Sequence, residues 1–199
     1  MLLKSHVFLF IRLVQALPPE HTLPHGCRNS LPRVGITTAL LASFRNVSLF
    51  GKGPYETYPD RKSSAIVQVY NHILDELHTP YIVPGENGGR CDVRWLDLQN
   101  DRGIGVHFEA THVPETPRFH RPHFKTITAS PYSQKQLGST SHNHLLVDEK
   151  KVWLHMDHAH MGVGGDNSWT PAHLPKYFVK PKRYKFGVKV TPFVAATVH

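Results

Sequence analysis

The chain has 199 residues, enough for one domain with a sizeable core. Its 40% hydrophobic and 19% charged content excludes a disordered chain, and no run approaches the ~20 apolar residues of a helical membrane span. The net charge of +8 permits an acidic partner, but the basic residues are dispersed; only residues 176–189 are dense, and there they alternate with Tyr, Phe and Val as on the wet face of a strand.

Sixteen Pro, fourteen Gly and many Val, Thr, Tyr and Phe residues favour short strands joined by turns. Residues 7–14 read as a strand. A secretory signal cleaved after Ala16 is the other reading of this start, and Arg12 inside the apolar run argues against it. Residues 17–30 hold three Pro and read as a loop. Residues 36–41 form a second strand. Val47, Leu49 and Phe50 make a short apolar run ending at Gly51. Residues 51–61 (GKGPYETYPDR) are irregular, with Tyr55 and Tyr58 packing them down. Residues 64–70 suit a strand or a short helix, and 78–84 are extended around their prolines. GENGG at 85–89 signals a hairpin. The strand after it sends Cys91, Val93 and Trp95 one way and Arg90, Asp92 and Arg94 the other. Residues 100–103 turn into a strand at 104–109. Residues 111–123 read as an exposed excursion rich in Pro and His. A short helical turn follows at 131–137, a strand at 145–147, a tight turn at 148–151 and its partner strand at 152–157. Closing strands are expected at 177–179 and 184–190. Two cysteines, Cys27 and Cys91, do not make a disulfide framework. Many short strands without an internal repeat predict an antiparallel sandwich.

Few residues suggest chemistry on their own. His142 and His144 lie two apart, as do His158 and His160, with His155 and Asp157 nearby, but zinc spacing is not met. His142-Asn143-His144 spells a nuclease label without the helix and second ligand such a site needs. Asn46-Val47-Ser48 is a glycosylation sequon of a kind common by chance. Glu56 and Glu86 both sit in Gly/Pro-rich loops where two carboxyls could converge for glycoside hydrolysis. Each also has an Arg close in sequence, Arg61 and Arg90, which suits a structural ion pair instead. Residues 161–171 (MGVGGDNSWTP) form a Gly-hinged loop holding Trp169, either as a plug for a core or as a flat platform for a ligand.

Four blocks carry a resemblance: LPRVG at 31–35, GKGPYETYPDRKSSA at 51–65, TPYIVPGENGGRCDVRW at 79–95, and SHNHLL at 141–146 with MGVGGDNSWTP at 161–171. In order and spacing they resemble the C-terminal domain of the multidomain β-galactosidases of glycoside hydrolase family 2, over residues 31–192. The resemblance implies an all-β fold, a large antiparallel β-sandwich like that of galactose mutarotases (a supersandwich). Residues 31–196 would form this domain and 1–30 an N-terminal strand and loop. Since the family domain is longer at its N-terminus, the chain is expected to begin partway through it, with strands missing and sheet edges left open. The excursion at 111–123 looks like an insertion beside the family pattern.

The resemblance further implies that the catalytic glutamate pair, with Mg2+ and Na+, belongs to a separate barrel this chain does not contain. No residue here is then catalytic or metal-binding, and Glu56 and Glu86 are structural. Trp169 would bind substrate by reaching across to the barrel mouth. The expected partners are a galactoside, a barrel-bearing chain or missing domains, and oligomeric copies in the complete enzyme, with no nucleic acid and no membrane. The expected location is cytoplasmic. Two rival readings are a non-catalytic carbohydrate-binding or assembly module and, from the charge alone, a nucleic-acid binder.

Overall fold

Along β3 (Asn46–Gly53) every second residue is buried, the mark of a strand with one face on a core. Its neighbours repeat the pattern: Leu96 and Leu98 are buried on β6 (Trp95–Gln99), and Phe108 and Ala110 on β7 (Ile104–Thr111). The computed structural model describes residues 7–13, 30–113, 122–164, 169 and 173–195, and only the backbone of 7–13. The remaining strands are β1 (Val7–Leu13), β2 (Arg33–Leu41), β4 (Ile66–Ile73), β5 (Arg90–Val93), β8 (Phe124–Ser130), β9 (Lys151–His160) and β10 (Tyr184–Val194). Among the described residues they form a six-stranded sheet in the order β1-β10-β7-β6-β3-β4 and a four-stranded sheet in the order β2-β9-β8-β5. Every pairing is antiparallel. The fold is the all-β sandwich expected from the strand spacing.

Val47, Leu49, Leu96, Leu98, Phe186 and Val188 of the large sheet join Ile127, Val152, Leu154 and Met156 of the small sheet in one apolar cluster. Each fully buried aliphatic side chain stabilises the sandwich by about 2 kcal/mol. The small sheet is buried on its second face too, and that face is polar. Thr126 lies opposite Asp157, and Thr128 opposite His155. All four are at most 5% exposed. Asp157 in turn lies opposite Gly35, and His155 opposite Thr37, where Thr37 Oγ1 and His155 Nδ1 are 2.9 Å apart. A buried face of this kind needs a covering layer that offers polar partners.

Gly35 sits at a register shift in β2 beside Val34. A Cβ there would lie 2.4 Å from Asp157 Oδ1 and 2.5 Å from the Met156 carbonyl oxygen. Gly35→Ala is therefore expected to lower stability by about 2 kcal/mol, as overpacking does. Urea unfolding reads this directly, and an unchanged midpoint would contradict so close an approach of β2 and β9.

Several elements differ from the sequence reading. Gly51–Gly53 are the last residues of β3 and so belong to regular structure. Tyr58 is buried as expected, but Tyr55 is exposed. Residues 64–70 resolve in favour of a strand, β4. GENGG makes no hairpin, since the strand that follows pairs with β8. That strand divides at Arg94 into β5 and β6, which belong to different sheets. Asp92 takes φ 54° there, so the alternation does not carry through: Arg90 is buried and Trp95 half-buried. β8 was not anticipated. The helical turn is α1 (Gln134–Ser139), capped by Ser133, whose Oγ accepts from Gln136 N at 3.2 Å. Residues 145–147 do not form a strand; Asn143–Leu145 make one 3-10 turn. Pro175–Tyr177 make another, leaving Val179 only an isolated bridge to Leu31. Ala16, the loop at 17–29 and most of the excursion at 111–123 lie outside the described residues.

Candidate functional site

Parts of the blocks at 31–35, 51–65 and 79–95 meet beside the polar face of the small sheet, and residues 161–164 of the last block join them. Residue Thr57 is tied to the start of β5 by Thr57 N→Gly89 O and Cys91 N→Thr57 Oγ1, both 2.8 Å. This aims Tyr58 inward, where it is 1% exposed. Its hydroxyl accepts from Gly89 N at 3.2 Å and donates to Glu86 Oε1 at 3.4 Å. Burial and two neighbouring carboxylates push the Tyr58 phenol well above its ordinary range, so it stays a neutral donor.

Glu86 is the hub. Its carboxylate pairs with the Arg33 guanidinium from the start of β2 and accepts from Gln134 Nε2 of α1 at 2.9 Å. His160 Nε2, at the end of β9, lies 3.7 Å away. Burial alone would raise the Glu86 carboxyl, but His160 and Arg33 outweigh it and hold it down at about 2. Arg33 also reaches Asp157, Nη1 to Oδ2 at 3.6 Å. Asp157 is 1% exposed, and burial pushes its carboxyl up to about 6 despite Arg33 and His160. Burial, then Arg33, lowers the neighbouring His155 to about 4.

Glu56 is engaged just as fully. Its Oε2 accepts from Gly88 N at 2.7 Å, and its Oε1 from Tyr81 Oη at 2.7 Å and Arg61 Nη1 at 3.4 Å. The expected pair with Arg61 is present. The expected pair of Glu86 with Arg90 is not: Arg90 turns inward and donates to the carbonyls of Gly88 and Gly89 at 3.2 Å, and Arg33 takes its place. A glycosidic acid needs a raised, accessible carboxyl beside a second carboxylate. Glu86 is lowered and ion-paired, and Asp157, though raised, is enclosed.

This network clamps the stem of the loop that holds Trp169. His160 Nδ1 lies 2.6 Å from the Met161 carbonyl oxygen, and Met161 N donates to Pro32 O at 3.0 Å. Gly164 N donates to Asp60 Oδ2 at 2.8 Å. Gly162 passes so close to Asp60 that a Cβ would lie 2.5 Å from Oδ2. On the far side His173 is buried edge-on to Phe178, with ring centroids 4.9 Å apart. Trp169 itself is 90% exposed, so it does not plug this core. Residues 165–168 and 170–172 lie outside the described residues.

The histidines singled out in the sequence are dispersed. His142 and His144 are exposed near a 3-10 turn, with rings 5.6 Å apart. His158 stacks on Phe186 at 5.2 Å, whereas His155 and His160 belong to the polar network. Sequence reasoning missed Arg33, Asp60 and Gln134, and it named His160 only as one of a histidine pair without its place beside Glu86. Arg33 and Asp60 lie within the blocks that carry the resemblance, which was the available signal; Gln134 and His160 lie outside them.

Fold and site thus define an antiparallel β-sandwich module whose central carboxylates are committed to internal contacts, with residues 161–164 anchored to them and Trp169 exposed. The family model described as beta galactosidase small chain matches residues 9–190. The chain is 42% identical over 156 residues to a Vibrio cholerae β-galactosidase and 40% identical over 162 residues to one from Enterobacter cloacae. These matches cover 78% and 80% of this chain. A Vibrio vulnificus β-galactosidase is 31% identical over 184 residues, 92% of this chain. The chain belongs to the β-galactosidase small-chain family. It spans only 14–15% of the length of these relatives.

Proposed function

We propose that this chain is the part of a retaining β-galactosidase that completes the active site with Trp169, and that it carries no catalytic carboxylate itself. In this reading a partner barrel holds the two glutamates: one protonates the leaving oxygen, the other forms the glycosyl-enzyme. This chain closes the sugar site and offers the indole face to the galactose ring, an amphipathic surface suited to a flat aromatic. The observation that carries the reading is the exposed Trp169 on a stem clamped by Asp60, His160 and Pro32.

Mg2+ and Na+ belong to the barrel in this reading. Among the described residues no group of three or more His, Cys, Asp or Glu side chains is placed to hold a cation. Enzyme copies in the cytoplasm and terminal β-galactosides as substrate complete the proposal.

The isolated chain is expected to hydrolyse no aryl β-galactoside. Turnover should appear on mixing it with Vibrio cholerae β-galactosidase that lacks the segment matching this chain. Turnover by the pure chain, lost in Glu56→Gln or Glu86→Gln, would overturn the reading. So would saturable galactoside binding by the chain alone without any gain on mixing, the behaviour of a carbohydrate-binding module.

A further inference from the structure

The outer edge of the large sheet carries few of the devices that keep edges from pairing: only at its end does a charged side chain intervene, where Glu76 Oε2 accepts from Ile73 N at 3.0 Å. β4 pairs with β3 over all eight residues, from Asn46↔Ile73 to Gly53↔Ile66, with no bulge. Its sequence, IVQVYNHI, contains no Lys, Arg, Asp, Glu, Pro or Gly. Among the described residues no strand lies on its other side. Ile66 is 67% exposed, Val69 52%, Ile73 52% and Val67 37%. Such an edge offers a row of backbone donors and acceptors flanked by β-branched side chains, the template for a further strand.

The edges of the small sheet are built otherwise. β5 has four residues and a positive φ at Asp92, and β2 is interrupted by the shift at Val34 and Gly35. On the large sheet the apolar surface continues inward from β4. Val69 lies opposite Phe50, and Phe50 opposite Trp95, the two rings 6.4 Å apart. An added strand would therefore find apolar side chains beside it as well as a backbone to pair with.

We propose that β4 receives an extended strand from the part of the β-galactosidase that lies outside these 199 residues. The proposal rests on the reading of the chain as one portion of that enzyme. The occupant follows from two facts. The open backbone calls for extended polypeptide, not a helix or a small ligand. The relatives match over only 14–15% of their length, so most of such an enzyme lies outside this span. A strand held in the same assembly pairs at high effective concentration.

Hydrogen–deuterium exchange tests this, with and without the truncated Vibrio cholerae complement described above. Adding the complement should slow exchange of the β4 amides that point away from β3 by about tenfold or more, and Val69→Lys should weaken complement binding about tenfold. Complement binding with residues 66–73 exchanging as in the isolated chain overturns the proposal. Failure of the complement to bind at all overturns it too. Protection of 66–73 that rises with the concentration of this chain alone, and does not change with the complement, makes a second copy the occupant and also overturns it. Protection without galactoside turnover leaves the strand pairing standing and removes the functional reading instead.

Discussion

Glu86→Ala is expected to lower the free energy of unfolding by about 3 kcal/mol, and the thermal midpoint by about 10 °C. The cause is what the variant leaves behind. Arg33 would keep its charge in a site where its side chain is 19% exposed, with only Asp157 at 3.6 Å to answer it. Removing one partner of a buried pair costs more than the pair was worth, because the survivor stays desolvated. Gln134 and Tyr58 would lose an acceptor as well. Glu86→Gln keeps the shape and tests the charge alone.

The same residue sets the acid limit of stability. The Glu86 carboxyl is held at about 2, below its ordinary 4.5, so its contribution is fully present above pH 4.5. That contribution, about 3 kcal/mol, is lost as pH falls from 4.5 toward 2. Asp157 and His155 act at higher pH and against each other. Asp157 is raised to about 6, so the folded state gains stability as pH falls from 6 to its ordinary 3.8. His155 is lowered to about 4, so stability is lost as pH falls from its ordinary 6.5 to 4. The two windows overlap and largely cancel. Urea midpoints should therefore change little between pH 6.5 and 4.5 and fall steeply below, and Glu86→Gln should flatten that steep limb. An unaltered limb in Glu86→Gln would place the acid-sensitive group elsewhere.

The strands most legible in the sequence were those with one wet face. β3 and β10 show their alternation because the large sheet buries one side. β8 escaped notice because five consecutive residues from Thr126 to Ser130 are buried, one face on the apolar core and the other under the polar layer, which erases the period of two. The break at Arg94 was hidden for a different reason. RCDVRW alternates through the crossing between sheets, and only the positive φ of Asp92 marks it. Residues 145–147 misled in the opposite direction: Leu145 and Val147 are apolar yet 52% and 67% exposed.

The site was legible as blocks but not as contacts. Local sequence pairs Glu86 with Arg90, four residues on, whereas its true partner Arg33 is 53 positions away. The anchor from Asp60 to Gly164 spans 104 positions. No periodicity reports contacts at such range.

Trp169→Ala should leave the unfolding midpoint of this chain unchanged, since the side chain is 90% exposed. In the complemented enzyme it should cost about 2–3 kcal/mol of galactoside recognition, roughly 30- to 150-fold in kcat/KM, as truncation of an aromatic anchor does. Trp169→Phe should recover part of that loss by restoring a flat face. The direct measurement is kcat/KM for an aryl β-galactoside in complemented enzyme carrying wild-type, Trp169→Ala or Trp169→Phe chain at equal assembly. A graded loss, largest for Ala, is the result predicted. Equal kcat/KM in all three would contradict the role assigned to Trp169.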